Sequence, residues 1–517
     1  MAAAAFMIRD GNVFGHNITI YEELNCLGGS LDGTGNAEHG YVLRGGRMIE
    51  SKYVCTFNLF AGIPTLDGKT TVSEEIIRWN DTLKTSSQSR LVRGGVRQTA
   101  PAFGLSERHI LAIERLVLEP EFLLGSTTIA EQFDKAFFST DFWAMWCTTF
   151  AFQPWHSAVE LKRYLARFVH MVDGFDRLQG IMRTVYNQYD SMVRPLEKFL
   201  TDHGVRIQFG AKVTGLRMCE LDGSRSVTQI LLNSRAARDA IEVTPADCVI
   251  ITLGSMTDGS SLGSMDRPPV LKDAPKGAAW ALWDKLAEGR PKFGRPAVFD
   301  THVQQSKWVS FTTTVTGTVF LRAVLDITGN VPGEGGLVTF PDSPWLASIV
   351  IPHQPHFIGQ NAGTSVFWGY GLCVDTIGEF VHKPMCACSG QEIMTEILGH
   401  LRLMGDLAVL MPTFICIPCM MPFITSQFMP RAHGDRPEVI PEGWDNLAFV
   451  GQFVEIPQDV VFTVEYSIRS AALAVYALLG LERAPPAVYQ GKYDLRVLLQ
   501  AFMALHDIRL PDAMQRA

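Results

Sequence analysis

An α/β fold with a Rossmann-like nucleotide-binding domain is predicted by three stretches of the sequence. Residues 17–21 are β-branched and apolar, and the strand they form ends on Glu22. An acidic side chain at that place accepts hydrogen bonds from ribose hydroxyls in a βαβ unit. Gly28, Gly29 and Ser30, then Asp32 and Gly33, make a loop that lets backbone approach a ligand closely. A second cluster, Arg44-Gly45-Gly46-Arg47, sets two guanidinium groups beside two small residues, which suits a phosphate. The third stretch, residues 249–253, is a buried parallel-type strand that ends in a turn at Gly254 and Ser255.

Length and composition bound the rest. A chain of 517 residues holds two or three domains and a large core. Hydrophobic content of 47% with 19% charged residues indicates a folded chain. The net charge of −8 argues against nucleic acid as the main partner. Ten cysteines without a secretory signal point to a reducing cytosol. Cys386, Cys388, Cys416 and Cys419 have spacings that a zinc site could use, but their apolar surroundings read as buried thiols, and no metal is expected. Residues 407–424 carry no charge over 18 positions. Pro412, Pro418 and Pro422 would break a helix there, so the stretch reads as buried strand and loop lining an apolar pocket.

Taken in order, residues 1–11 form an alanine-rich helix with Gly11 as its C-cap. Helices are expected near 107–118 and 129–136. Residues 141–152 are dense in aromatics, hence core or pocket wall. Ser157 and Glu160 form a capping box. Leu161, Tyr164, Leu165 and Phe168 follow at i, i+3, i+4 and i+7 as one apolar stripe, with Arg163 and Arg167 on an adjacent face. Strands are expected at 204–209 and 212–214, and an amphipathic helix at 391–403. Thr425 and Gln427 stand two apart, so on an extended segment both face one way. They could hold a carboxylate or a water, or be ordinary core groups. A further strand ends at Gly451, and a helix begins near Phe462 and Thr463 with its N-terminus free to face a ligand. The tail beyond Ala484 sets Lys492, Arg496, His506 and Arg509 among leucines and Phe502, as an amphipathic membrane-surface helix or a packed surface helix.

The run EEL..LGGSLDG followed by Y.LRGGR..E resembles the oleate hydratases, also called myosin-cross-reactive antigens, which are FAD-binding fatty-acid double-bond hydratases. The block W.TTFAF..WHSA.E..RY..RF at 146–168, the segment 186–200, Trp368-Gly-Tyr370, residues 383–390, 423–437 and 446–469 are similar to further blocks of that family, in family order. The resemblance implies FAD in a shaping, non-redox role. The glycine loops, Arg44 and Arg47 would lie along the cofactor, Val213 would hold the adenine by its backbone, and Gly254 would return the chain to the FAD domain. Gly451 would meet the pyrophosphate, and Phe462 and Thr463 the flavin. The resemblance further implies Tyr164 as proton donor to the alkene, and a fatty-acid pocket shaped by Thr425, Gln427 and Trp155. It implies a hydro-lyase of the type that converts oleate to the 10-hydroxy acid, acting on free unsaturated fatty acids as a monomer or homodimer.

Two departures stand out. The family's RGGRE glutamate, credited with activating water, is Met48 here, and the next acid is Glu50. The first strand and its Gly-rich turn should also precede the 1–11 helix, so roughly fifteen to thirty residues are expected upstream of Met1 and FAD is expected to bind weakly to this chain. The expected organisation is an FAD domain from 1–60, 185–260 and 440–483, an inserted α+β substrate domain from 61–184 and 261–439, and a helical segment from 484–517. The alternatives are a flavin-dependent fatty-acid isomerase or oxidoreductase, or a flavin-free fatty-acid-binding protein.

Overall fold

The structure, a computed structural model, describes residues 1–508 apart from 47, 100, 222–223, 234–237 and 274. The alanine-rich start forms the helix Ala2–Arg9 and buries Ala4, Ala5 and Phe6. Small side chains let it lie close to the helix Val464–Leu478, where Phe6 meets Tyr476 edge-on at 5.9 Å. Asp10 rather than Gly11 is the C-cap, and the N–H groups of both bond to Phe6 O at 2.8 and 3.2 Å.

Two parallel strand pairs form the Rossmann-like part. Thr19–Glu22 pairs with Arg206–Phe209, and Val249–Thr252 pairs with Leu447–Val450. The strand Lys212–Leu221, which starts beside Val213, belongs instead to an antiparallel three-stranded sheet with Ser224–Asn233 and Arg238–Glu242. Glu465, in the first turn of the Val464–Leu478 helix, accepts the backbone N–H groups of Cys55 (2.9 Å) and Thr56 (2.8 Å). A carboxylate thus caps the N-terminus of the helix Val54–Phe60 across more than four hundred residues of sequence.

The second large element is an eight-stranded mixed sheet centred on Phe414–Met421, Trp308–Thr316 and Thr364–Gly371. All its neighbours are antiparallel except Leu337–Thr339 against Leu91–Arg93. The uncharged 407–424 stretch is a short helix, a 3-10 turn and the buried strand Phe414–Met421, as its prolines require. Among the described residues no helix is long and apolar enough to cross a membrane.

Glu107–Leu118 is helical as expected, but 129–136 is not. Only Ile129–Glu131 makes a 3-10 turn. Asp134 then accepts the Phe137 N–H (3.2 Å), a local bond that competes with helix continuation, and Phe133 stacks on Phe137 at 4.0 Å. The 391–403 helix is Gly390–His400, started by a Ser389–Glu392 capping box.

The hairpin Gly33–Asn36/Gly40–Leu43 brings the Gly-Gly cluster onto the large sheet. It is held there by side chains: Thr314 Oγ1 accepts the Tyr41 N–H and Thr312 Oγ1 the Leu43 N–H, each at 2.9 Å. Thr312→Val keeps the shape and leaves the buried Leu43 N–H unpaired. Denaturant unfolding should show a loss of about 1–3 kcal/mol; an unchanged midpoint would show that the hairpin does not depend on this bond.

Candidate active site

The helix Ala158–Arg167 starts as the sequence predicts, but only half of its capping box forms. Ser157 Oγ accepts the Glu160 N–H (3.5 Å), while the Ser157 N–H goes to Phe428 O (2.8 Å). Glu160 is thereby released from its capping role and turns inward. The stripe is buried as expected, and Tyr164 is 1% exposed. Its ring sits among Phe150, Phe152, Phe168 and Phe428, with centroids 4.9–5.8 Å away. Its hydroxyl donates to Val461 O at 2.6 Å.

Arg163 and Arg167 are not surface charges. Arg163 forks onto Glu121 (2.9 and 2.8 Å), reaches Glu455 Oε1 (2.8 Å) and donates to Ile456 O (3.3 Å). Arg431 bridges Glu160 (2.9 Å) and Glu455 (3.0 Å), and Arg436 joins Glu160 (3.0 Å) to Gln427 O (2.6 Å). Three arginines thus face three glutamates, and only Glu121 exposes more than 11% of its side chain. Burial pushes the Glu160 and Glu455 carboxyls up, but the arginines outweigh it and hold both below the usual range, Glu455 down to about 2.

The cofactor candidates fall on the strand pairs and the loops beside them. Glu22 ends its strand half-exposed, accepting the Leu24 N–H (2.9 Å), and its backbone carbonyl accepts from Ala211 N–H (2.9 Å) two residues before Val213. Gly28 and Gly29 have φ of +111° and +55°, and a side chain on Gly29 would meet nothing within 4 Å, so this turn faces open space beside Ser30. Gly254 and Gly451 end the other parallel pair, where the Leu253 N–H bonds to Val450 O (3.2 Å). Phe462 holds φ of +71°, costly for a bulky residue. Gln452 supports it by accepting the Phe462 N–H and donating to Thr463 O (2.9 Å). Thr463 Oγ1 caps the helix (3.2 Å from Tyr466 N). Arg44 is spent on Asp32 (3.1 Å) and Cys419 Sγ (3.5 Å), locking the glycine loop to the large sheet. Gly46 packs on Trp368, whose Nε1 lies 2.5 Å from where a Cβ would stand; Gly45 beside it is buried, and Arg47 lies outside the described residues.

Met48 is half-buried. Glu50 is 2% exposed; its oxygens meet Arg167 (2.9 Å), Lys52 N–H (2.7 Å) and His170 (3.4 Å). Burial pushes its carboxyl up, but His170 and Arg167 win and keep it ionised. The ring of Tyr489, from the C-terminal segment, covers this group, 4.9 Å edge-on from His170. Thr425 and Gln427 are not on an extended segment: a 3-10 turn, Ser426–Phe428, separates their directions. Thr425 Oγ1 donates to Ser306 O (3.0 Å), and Gln427 Nε2 to Ile424 O (3.1 Å). Gln427 Oε1 and Ser426 Oγ are buried without a hydrogen-bond partner. Trp155 donates to Gln305 O (3.0 Å). The neighbouring His156 is pushed down to about 3 by burial and is neutral. Burial pushes the Cys388 and Cys416 thiols up to about 12.

Sequence reasoning missed the ion network and Gln452. The Glu160 signal was present but matched a commoner motif. A carboxyl held below its unfolded value, near 4.5, adds stability above that value and loses it as pH falls through the folded one. The melting temperature should therefore drop as pH falls from about 5 towards 2, and Glu455→Gln should flatten that drop. Parallel curves for both proteins would show that Glu455 is not tied to the arginines in solution.

The chain is 40% identical over 522 residues to oleate hydratase of Streptococcus pyogenes serotype M49 (strain NZ131), covering 98% of this chain and 88% of that one. It is 33% identical over 551 residues to linoleate hydratase of Lactiplantibacillus plantarum, covering 98% and 96%. An oxidoreductase from Methanosarcina mazei shares the fold at 12% identity, with a TM-score of 0.50 over 93% of this chain and 97% of that one. Residues 1–476 match the MCRA family, and the chain belongs to it.

Proposed function

We propose that the chain adds water across a cis double bond of a free unsaturated fatty acid, with FAD bound in a non-redox role. The observation that carries this reading is the Tyr164 hydroxyl. It is enclosed by phenylalanines, and it is held by the loop that leads into the Val464–Leu478 helix. The family relationship to two hydratases supports it.

The residues present fit the cofactor. Glu22 would take the ribose, the Gly28–Gly29 turn would admit the phosphates, and the capped N-terminus at Thr463 would face the flavin. When bound, the flavin would supply a rigid wall and local charge beside the alkene. The chain's own residues do the rest. The eight-stranded sheet and its covering helices would hold the acyl chain dry. Tyr164 would deliver a proton to one alkene carbon. Water would add to the other carbon and lose a proton, and a proton would return to the Tyr164 phenolate, so that H and OH are the net addition. Gln427 Oε1, unpartnered and next to Phe428, is the better water acceptor. Glu50 is committed to Arg167 and His170, so its basicity is reduced.

The tail supports a peripheral membrane role. Leu495, Leu498, Leu499 and Phe502 stand at i, i+3, i+4 and i+7 of the helix Leu495–Leu505 and are all exposed, Leu495 by 82%.

Incubation with oleate in heavy-oxygen water should give a product carrying one heavy oxygen; a product of unchanged mass would favour isomerisation. Tyr164→Phe should lower turnover about a hundredfold or more, the range for a general acid, and wild-type turnover would remove Tyr164 from that role. Met48→Glu should raise turnover if water activation limits the rate. Co-sedimentation with anionic vesicles should be lost in Leu495→Ser/Phe502→Ser, and equal binding would locate the contact elsewhere.

A further inference from the structure

We propose that Arg163, acting through Glu455, is the positioning residue for the proton that Tyr164 delivers. The inference rests on the hydration reading.

Arg163 and Tyr164 are consecutive on one helix, and both grip one loop. Arg163 holds its beginning at Glu455 (2.8 Å) and Ile456 O (3.3 Å), and Tyr164 holds its end at Val461 O (2.6 Å). The helix and the loop are therefore registered against each other at two points, one ionic and one through the reacting hydroxyl itself. A phenol has one proton, and its rotation about the C–O bond sets where that proton points. At rest Val461 O holds that proton, so the carbonyl sets where the phenol oxygen stands and the proton must turn off it to reach an alkene, while Arg163 holds the other end of the same loop at Glu455 and Ile456 O. Phe462 follows immediately in a left-handed conformation, so the loop has no slack at that end.

The substrate side is referenced to the same contact. Glu455 also meets Arg431, which meets Glu160, which meets Arg436, which holds the Gln427 carbonyl. The proton donor and the turn facing it are thus two ends of one chain of charges, with Glu455 the link between the Tyr164 loop and the rest. Arg163 touches no reacting atom. Its planar guanidinium makes four bonds to two segments at once, one more than the three donors of a lysine ammonium allow.

The prediction concerns product identity as well as rate. A double bond has two carbons about 1.3 Å apart, so a donor misplaced by about an ångström changes the outcome and loses up to about a hundredfold in rate. Arg163→Lys and the charge-balanced double variant Arg163→Gln/Glu455→Gln should lower kcat at least tenfold with little change in KM. The double variant removes one charge of each sign and leaves Arg431 and Arg436 on Glu160, while Glu121, which loses Arg163, is partly open to water, so it guards against loss of the fold through a buried unpaired charge. Both variants should give a mixture of the two hydroxy-acid regioisomers where the wild type gives one, measured by mass spectrometry of the products and normalised to folded protein by circular dichroism. A single regioisomer at wild-type kcat per folded molecule would overturn the proposal. So would a kcat loss in which the remaining product stays a single regioisomer, because that is the signature of fewer competent molecules. If the wild type itself adds no water to oleate, the hydration reading fails, and that result is distinct from both.

Discussion

Three arginines and three glutamates hold three segments of this molecule in register. Removing five of these six charged groups from water is expensive, and the cost is offset only because each carboxylate meets a guanidinium at 2.8–3.0 Å. Such a cluster tolerates little variation in geometry. It joins the Tyr164 helix, the 3-10 turn at Ser426–Phe428 and the loop after Gly451, three segments distant in sequence. An apolar interface of the same size would hold them as firmly, but it could slide. Directional, bidentate contacts fix relative position, and a proton transfer depends on relative position.

Much of the fold was legible in the sequence. The stripe from Leu161 to Phe168 announced a buried helical face, and the prolines at 412, 418 and 422 ruled out a long helix. Gly451, Phe462 and Thr463 marked a strand end and a helix start, and both stand where expected. The misreadings share a cause: each local motif had a distant competitor. Ser157 and Glu160 have the spacing of a capping box, but two arginines some 270 residues away take the carboxylate. Thr425 and Gln427 look extended, but Thr425 caps the 3-10 turn Ser426–Phe428 and Gln427 lies inside it. Residues 129–136 have helical composition, yet Asp134 bonds to Phe137 and ends the run.

The water side of the reaction is where this chain departs from the pattern that its sequence resembles. Met48 cannot accept a proton, and Glu50 is buried against Arg167 and His170 under Tyr489. Its role there is to neutralise a guanidinium that would otherwise be stranded in the interior. Gln427, legible only as a polar residue in an apolar wall, retains an unpartnered carbonyl oxygen and precedes Phe428, whose ring packs on Tyr164.

The hairpin that carries the second glycine cluster has no backbone ladder to the large sheet; Thr312 and Thr314 hold it through their hydroxyls, 269 and 273 residues further along the chain. During synthesis, therefore, the N-terminal loops emerge long before the strand that seats them. The face that carries this hairpin assembles late, after most of the chain has left the ribosome, and the early segment must wait for its seat.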